Sequence, residues 1–165
     1  PKMELGIATL RILCKVKGEK HVSAAMNNMI SAPYAKHFPE DDSPNNWLCT
    51  DRSDISKYDE AKYFGPEFSV GANHAMLSLL KRCCKVQNIT LINKELPMFF
   101  IAGGDDPVGD MGIGFMRCVE LYRDGGMQRV KDKLYPGLRH EILFEPNGKT
   151  QVFKDILKFL EECRK

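Results

Sequence analysis

The sequence predicts an α/β chain, and three observations carry that prediction. Apolar residues recur at steps of three and four through the front third, as helices require. Met98-Phe99-Phe100-Ile101-Ala102 is a short run with no polar residue, fenced by Pro97 on one side and Gly103-Gly104 on the other. Residues 152 to 163 carry one apolar face and one charged face. A short apolar run between breakers reads as a strand covered on both sides, the habit of parallel sheets beneath helices.

In chain order, Leu5, Ala8, Thr9, Ile12, Leu13 and Val16 mark a first helix, and Val22, Ala25, Met26, Met29 and Ile30 a second. Gly18 separates them, where a helix end favours a residue free to take positive φ. The two stretches predict a helical pair. From Ala35 to Val70 the periodicity vanishes, and Pro39, Pro44 and Pro66 punctuate a turn-rich stretch that reads as a wandering loop. Residues 36 to 70 hold 4 Lys+Arg against 8 Asp+Glu. They also hold Phe38, Trp47, Tyr58, Tyr63, Phe64 and Phe68, too many rings to leave in water, so the loop is expected to fold back over an apolar surface.

Helical spacing returns at Met76, Leu77, Leu80 and Cys83/Cys84, ahead of the 98 to 102 strand. Ile113, Met116, Val119 and Tyr122 then form a helical stripe ended by Gly125-Gly126. Val130 to Tyr135 alternate with charge, the pattern of an edge strand. The order strand, helix, strand, helix calls for a parallel pair. Two strands are fewer than a stable sheet, and an interior strand needs a neighbour on each flank. The remaining strands are therefore expected N-terminal to Pro1, in a parent protein of which this sequence is a piece.

Composition narrows the function. With 165 residues, 43% hydrophobic and 28% charged, the chain is one ordinary globular unit, so disordered and collagen-like classes are excluded. A formal charge of +2 gives no field for nucleic-acid binding. No apolar run reaches the roughly 20 residues that span a bilayer. Six cysteines without CxxC or paired His spacing suggest neither a metal site nor a redox motif, and no cofactor; they fit a reducing compartment, with the cytoplasm expected.

In open α/β sheets, chemistry sits beyond the carboxyl ends of the strands. Two loops qualify: Gly103 to Asp110 and Pro136 to Glu141. Adjacent parallel strands would set them side by side, bringing Asp106 within reach of His140. A carboxylate against Nδ1–H fixes the imidazole tautomer and leaves Nε2 to take a proton from a nucleophile. The same residues also make a good turn and an ordinary loop histidine. His21, His37 and His74 lack such placement. Gly112-Ile113-Gly114 lacks the further residues of a phosphate loop.

The segments LPMFFIAGGDDPVG and LYPGLRHEILFE resemble the C-terminal part of α/β-hydrolase-fold serine hydrolases of the monoacylglycerol lipase, lysophospholipase and serine aminopeptidase group. WLCTDRSDISKYDEAKYFGPEFSVG resembles the stretch that joins their helical cap to the core. The resemblance implies the C-terminal portion of an α/β-hydrolase fold, with helices on both faces of a parallel sheet and a mainly helical cap in front. It divides the chain at residues 1–95, cap and return, and 96–165, core.

By the same resemblance the triad acid is Asp106, directly before Pro107, and the base is His140 of Arg139-His140-Glu141. Asp105 is the rival acid, Asp110 a weaker one, and Glu141 is structural. No serine stands in a GxSxG elbow, so the nucleophile and oxyanion hole are expected upstream, in the N-terminal half that completes the sheet. The implied substrate is a small-molecule or lipid ester, of lysophospholipid or monoacylglycerol type. Alternatives are an Asp-nucleophile enzyme of the same fold (epoxide hydrolase or dehalogenase type) and a non-catalytic binding module. Met3, Met26, Met29 and Met76 with Phe38, Trp47, Phe64 and Phe68 would either line an acyl channel or pack the cap onto the core.

Overall fold

A computed structural model describes residues 2–60 and 67–164. Tyr63 and Phe64, two of the rings expected to fold back, lie outside the described residues. Helix α1 (Lys2–Lys17) ends where Gly18 takes φ 87° and donates its N–H to Cys14 O at 3.0 Å. Helix α2 (Ala24–Ala35) starts at Ser23, whose hydroxyl accepts from Met26 N–H. Ser69 caps α4 (Val70–Cys83) in the same way, accepting from Ala72 N–H at 3.2 Å. Such caps satisfy amides that the first helical turn leaves without partners.

The pair expected of α1 and α2 is corrected by the structure: α1 packs along α4, and α2 joins them through Met26. Leu10 of α1, Met26 of α2 and Val70 of α4 form one buried cluster, with Leu13, Cys14 and Leu77 against it. Val70 N–H donates to His21 O at 2.8 Å, which ties the start of α4 to the connection between α1 and α2. Each fully buried aliphatic side chain here contributes about 2 kcal/mol.

The stretch expected to be a wandering loop contains helix α3 (Arg52–Glu60), which corrects that reading. Ile55 is its one buried residue, so no apolar stripe marked it in the sequence. Local chemistry starts it instead: Asp51 Oδ1 accepts from Ser53 N–H at 2.9 Å, and Lys57 pairs with Asp54 one turn on. Ile55 packs with Leu48 and Cys49, and with Trp47 and Tyr58 beside them. A short helix, α5 (Val86–Ile89), follows α4.

Strands β1 (Met98–Gly103) and β2 (Val130–Tyr135) pair in parallel, from Met98 opposite Val130 to Gly103 opposite Tyr135, with α6 (Ile113–Asp124) between them in sequence. Helices cover both faces. Phe99 meets Phe159 of α7 (Lys149–Cys163), and Phe100 meets Tyr122 of α6. On β2, Lys131, Lys133 and Tyr135 face α7, pairing with Glu162, Asp155 and Asp155, while Asp132 pairs with Arg123 of α6. The alternation of charge along β2 is thus an alternation of helix partners. Met98 to Ala102 remain half-buried, because no described strand flanks β1 on the side away from β2. Among the described residues no helix is long and apolar enough to cross a membrane.

Candidate active site

Both candidate loops leave the same end of the parallel pair, where Gly103 opposes Tyr135. Gly104 N–H donates to Tyr135 O at 2.7 Å and Asp105 N–H to Leu138 O at 3.0 Å, so the loop after β1 is stitched to the loop after β2. The crossing is so close that a Cβ on Gly103 would lie 2.1 Å from the carbonyl oxygens of Leu138 and Arg139. Only glycine fits there.

The acid loop then turns tightly. Asp106 N–H donates to Gly103 O, Met111 N–H returns to Asp106 O at 3.0 Å, and Gly114 N–H reaches Gly109 O at 2.9 Å. Asp110 and Met111 hold φ of 53° and 52°, left-handed values that cost a non-glycine residue about 1–2 kcal/mol each. This turn leaves Asp106 6% exposed. Its Oδ1 accepts from Val108 N–H at 2.8 Å, which fixes the carboxylate plane.

The histidine loop is rooted on both sides of His140, with Leu138 and Ile142 buried in a cluster with Tyr135 and Val152. Its backbone lies along residues 47 and 48. His140 N–H donates to Trp47 O, and Glu141 N–H to Leu48 O at 2.7 Å. The Trp47 ring stands 5.2 Å from the imidazole, and the Tyr34 ring 5.2 Å from Trp47.

These supports bring two of the residues singled out in the sequence together: His140 Nδ1 and Asp106 Oδ2 are 2.9 Å apart. With the proton on Nδ1, imidazole donates to carboxylate. His140 is otherwise open, its side chain 39% exposed, and no described residue hydrogen-bonds Nε2. The hydrogen bond to Asp106 raises the His140 pKa above the ordinary imidazole value, against the opposing effect of burial. The Tyr34 hydroxyl is also pushed up, first by burial and then by the Asp106 charge.

Asp105 contributes its backbone to the loop junction, and neither it nor Asp110 meets His140. His74 Nε2 is buried without a partner among the described residues, and His21 serves α4 through its carbonyl. Of the residues that would line an acyl channel, Phe64 lies outside the described residues and the others are scattered. Met26 packs among helices, Phe38 lies beneath Arg139, and Met3, Met29 and Phe68 are exposed. An apolar recess of about 400 Å³ is instead lined by Leu48, Cys49, Ile55, Tyr58 and Phe144, with Asp54, Lys57 and Glu141 at its rim. Among the described residues no group of His, Cys, Asp or Glu is placed to hold a metal ion.

Two residues of the LYPGLRHEILFE segment have roles around His140 that the sequence does not assign. Arg139, 11% exposed at its side chain, stacks 3.8 Å above the Phe38 ring, pairs with Asp41 at 2.9 Å and donates to Asn46 O. Glu145 is fully buried and accepts from Arg139 N–H at 2.7 Å, from Thr50 N–H at 3.1 Å and from the Thr50 hydroxyl. Both read as ordinary charged loop residues until their partners, some 90 residues away, are known.

Comparison with known proteins agrees with this architecture. A carboxyl esterase from Bacillus coagulans superposes with TM-score 0.89 at 19% identity, covering 98% of this chain and 53% of its own. A lipase in its open form gives 0.84 at 23% identity, with coverage of 95% and 53%. A monoglyceride lipase from Saccharomyces cerevisiae gives 0.58 at 21% identity, with coverage of 95% and 58%. The chain thus spans a little over half the length of these structural relatives, and what it shares with them is the α/β-hydrolase fold. No curated protein matches the chain in sequence. The model of one family, described as serine aminopeptidase S33, matches residues 6–147, across both candidate loops. By that match the chain belongs to the serine aminopeptidase S33 family of α/β hydrolases.

Proposed function

We propose that the protein is a serine hydrolase of carboxylic esters, of monoacylglycerol or lysophospholipid type, in which His140 is the general base and Asp106 its orienting acid. The observation that carries this reading is the 2.9 Å contact from Nδ1 to a buried carboxylate, with Nε2 left open. In the proposed reaction a serine from an N-terminal half of the protein gives its proton to His140 Nε2 and attacks the ester carbonyl. His140 returns the proton to the leaving alcohol, and water then releases the acid by the same path reversed. Asp106 holds the imidazolium that forms between the two transfers.

On this reading residues 1–95 form the cap with its return to the core, and residues 96–165 the C-terminal part of the core. The apolar recess lined by Leu48, Ile55, Tyr58 and Phe144 supports a substrate with a hydrocarbon chain. So do the esterase and monoglyceride lipase among the structural relatives.

The test is covalent labelling of the full-length protein with a fluorophosphonate probe, which reports an activated serine. Labelling is expected in the wild type and lost in His140→Ala. A folded His140→Ala protein that still labels would overturn the assignment. Absence of labelling in the wild type, with turnover of an epoxide or haloalkane, would instead point to an aspartate nucleophile.

A further inference from the structure

The proposed base depends on a loop whose conformation local sequence does not dictate. Residues 136 to 145 contain no regular secondary structure, yet His140 must meet Asp106 to within tenths of an ångström. What fixes the loop is a bracing segment from the other half of the chain. Trp47 O and Leu48 O accept from His140 and Glu141, and Thr50 binds Glu145. Glu145 closes this ladder. One carboxylate oxygen takes the N–H of Arg139, the residue before His140, and the other takes both the N–H and the hydroxyl of Thr50. Its carbonyl accepts from Gly148 and Lys149, which begin α7.

A buried carboxylate is costly unless its oxygens are paired, and those of Glu145 are paired only while the histidine loop and residue 50 keep this spacing. We infer that Glu145 is a positioning residue for His140, acting through Arg139 N–H and Thr50 to hold the imidazole against Asp106. Glutamine cannot replace it. The amide presents one oxygen and one NH₂, so either Arg139 N–H or Thr50 N–H faces another donor. The kinetic consequence rests on the hydrolase reading above; the placement of the ring does not.

The experiment measures three quantities on the full-length protein: the His140 ring titration by NMR, kcat and KM for a short p-nitrophenyl ester, and the melting temperature. In Glu145→Gln the His140 pKa is expected to fall toward that of a free imidazole. A displacement of the ring by about 1 Å would lower kcat by up to about 100-fold, with KM unchanged. Thr50→Ser, which keeps the hydroxyl, should match wild type, and Thr50→Val should fall between.

A Glu145→Gln protein that melts lower but keeps the wild-type His140 titration and kcat would make Glu145 merely structural and overturn the inference. Should that variant not fold, the Thr50 pair decides, and equal His140 titrations in Thr50→Val and Thr50→Ser would overturn it as well. If the wild type turns over no ester, the hydrolase reading fails while the titration still decides the role of Glu145.

Discussion

The contact between His140 and Asp106 sets a direction for every pH effect at the site. The carboxylate favours the imidazolium, so the folded pKa of His140 lies above the unfolded value of about 6.5. The pair therefore adds stability that is complete below the unfolded pKa and lost as pH rises through the folded one. For catalysis the sign is opposite. Under the proposed function a general base works as neutral imidazole, so activity is expected to rise as His140 deprotonates, with its acid limb displaced upward by Asp106. Asp106→Asn is expected to move that limb to lower pH while reducing kcat, because the amide can hold the wrong tautomer. Trp47, the one tryptophan in the chain, reports the same titration directly. A protonated ring at 5.2 Å quenches indole emission, so fluorescence should rise with pH through the His140 pKa. That transition should move down in Asp106→Asn and vanish in His140→Gln; a pH profile identical in all three proteins would sever the ring contact from the site.

One element, the end of β1, decides whether the two loops can meet at all. Backbone carbonyls of Leu138 and Arg139 occupy the space where a Gly103 side chain would stand, and backbone cannot rotate away as a side chain can. Gly103→Ala is expected to cost at least about 3 kcal/mol, the upper range for overpacking. Its damage should concentrate at the site, with the His140 titration returning toward that of an ordinary imidazole. Calorimetry with the NMR titration checks both, and a variant as stable as wild type would contradict the close crossing. This element could be read in the sequence because its signals are local: an apolar run, two glycines, and acid and histidine motifs just beyond the strands. Helix α3 could not, because its one buried residue, Ile55, gives no stripe. Glu145 could not either, since its meaning lies in Thr50, 95 positions earlier in the chain. Positions with short-range causes are visible in one sequence; those whose partners are brought by folding are not.

The parallel pair poses a larger question of sheet economy. Parallel strands are stable when buried between neighbours and helices, and β1 has β2 on one flank and no described strand on the other. Apolar residues remain exposed on both covering layers: Val108, Ile113 and Met116 at and before α6, and Phe153, Leu157 and Leu160 on α7. A free strand edge beside apolar surface is a template for association. Under the proposed reading, strands from an N-terminal half would pair with β1 and cover part of this surface, and the same half would supply the serine. The 165-residue chain expressed by itself is therefore expected to self-associate at micromolar concentration and to bind a hydrophobic dye, whereas the full-length protein should do neither. Sedimentation velocity and dye fluorescence on the two proteins make the comparison. A monomeric 165-residue chain that leaves the dye dark would mean that β1 needs no second neighbour, removing the structural reason for placing the nucleophile in other strands of the same sheet.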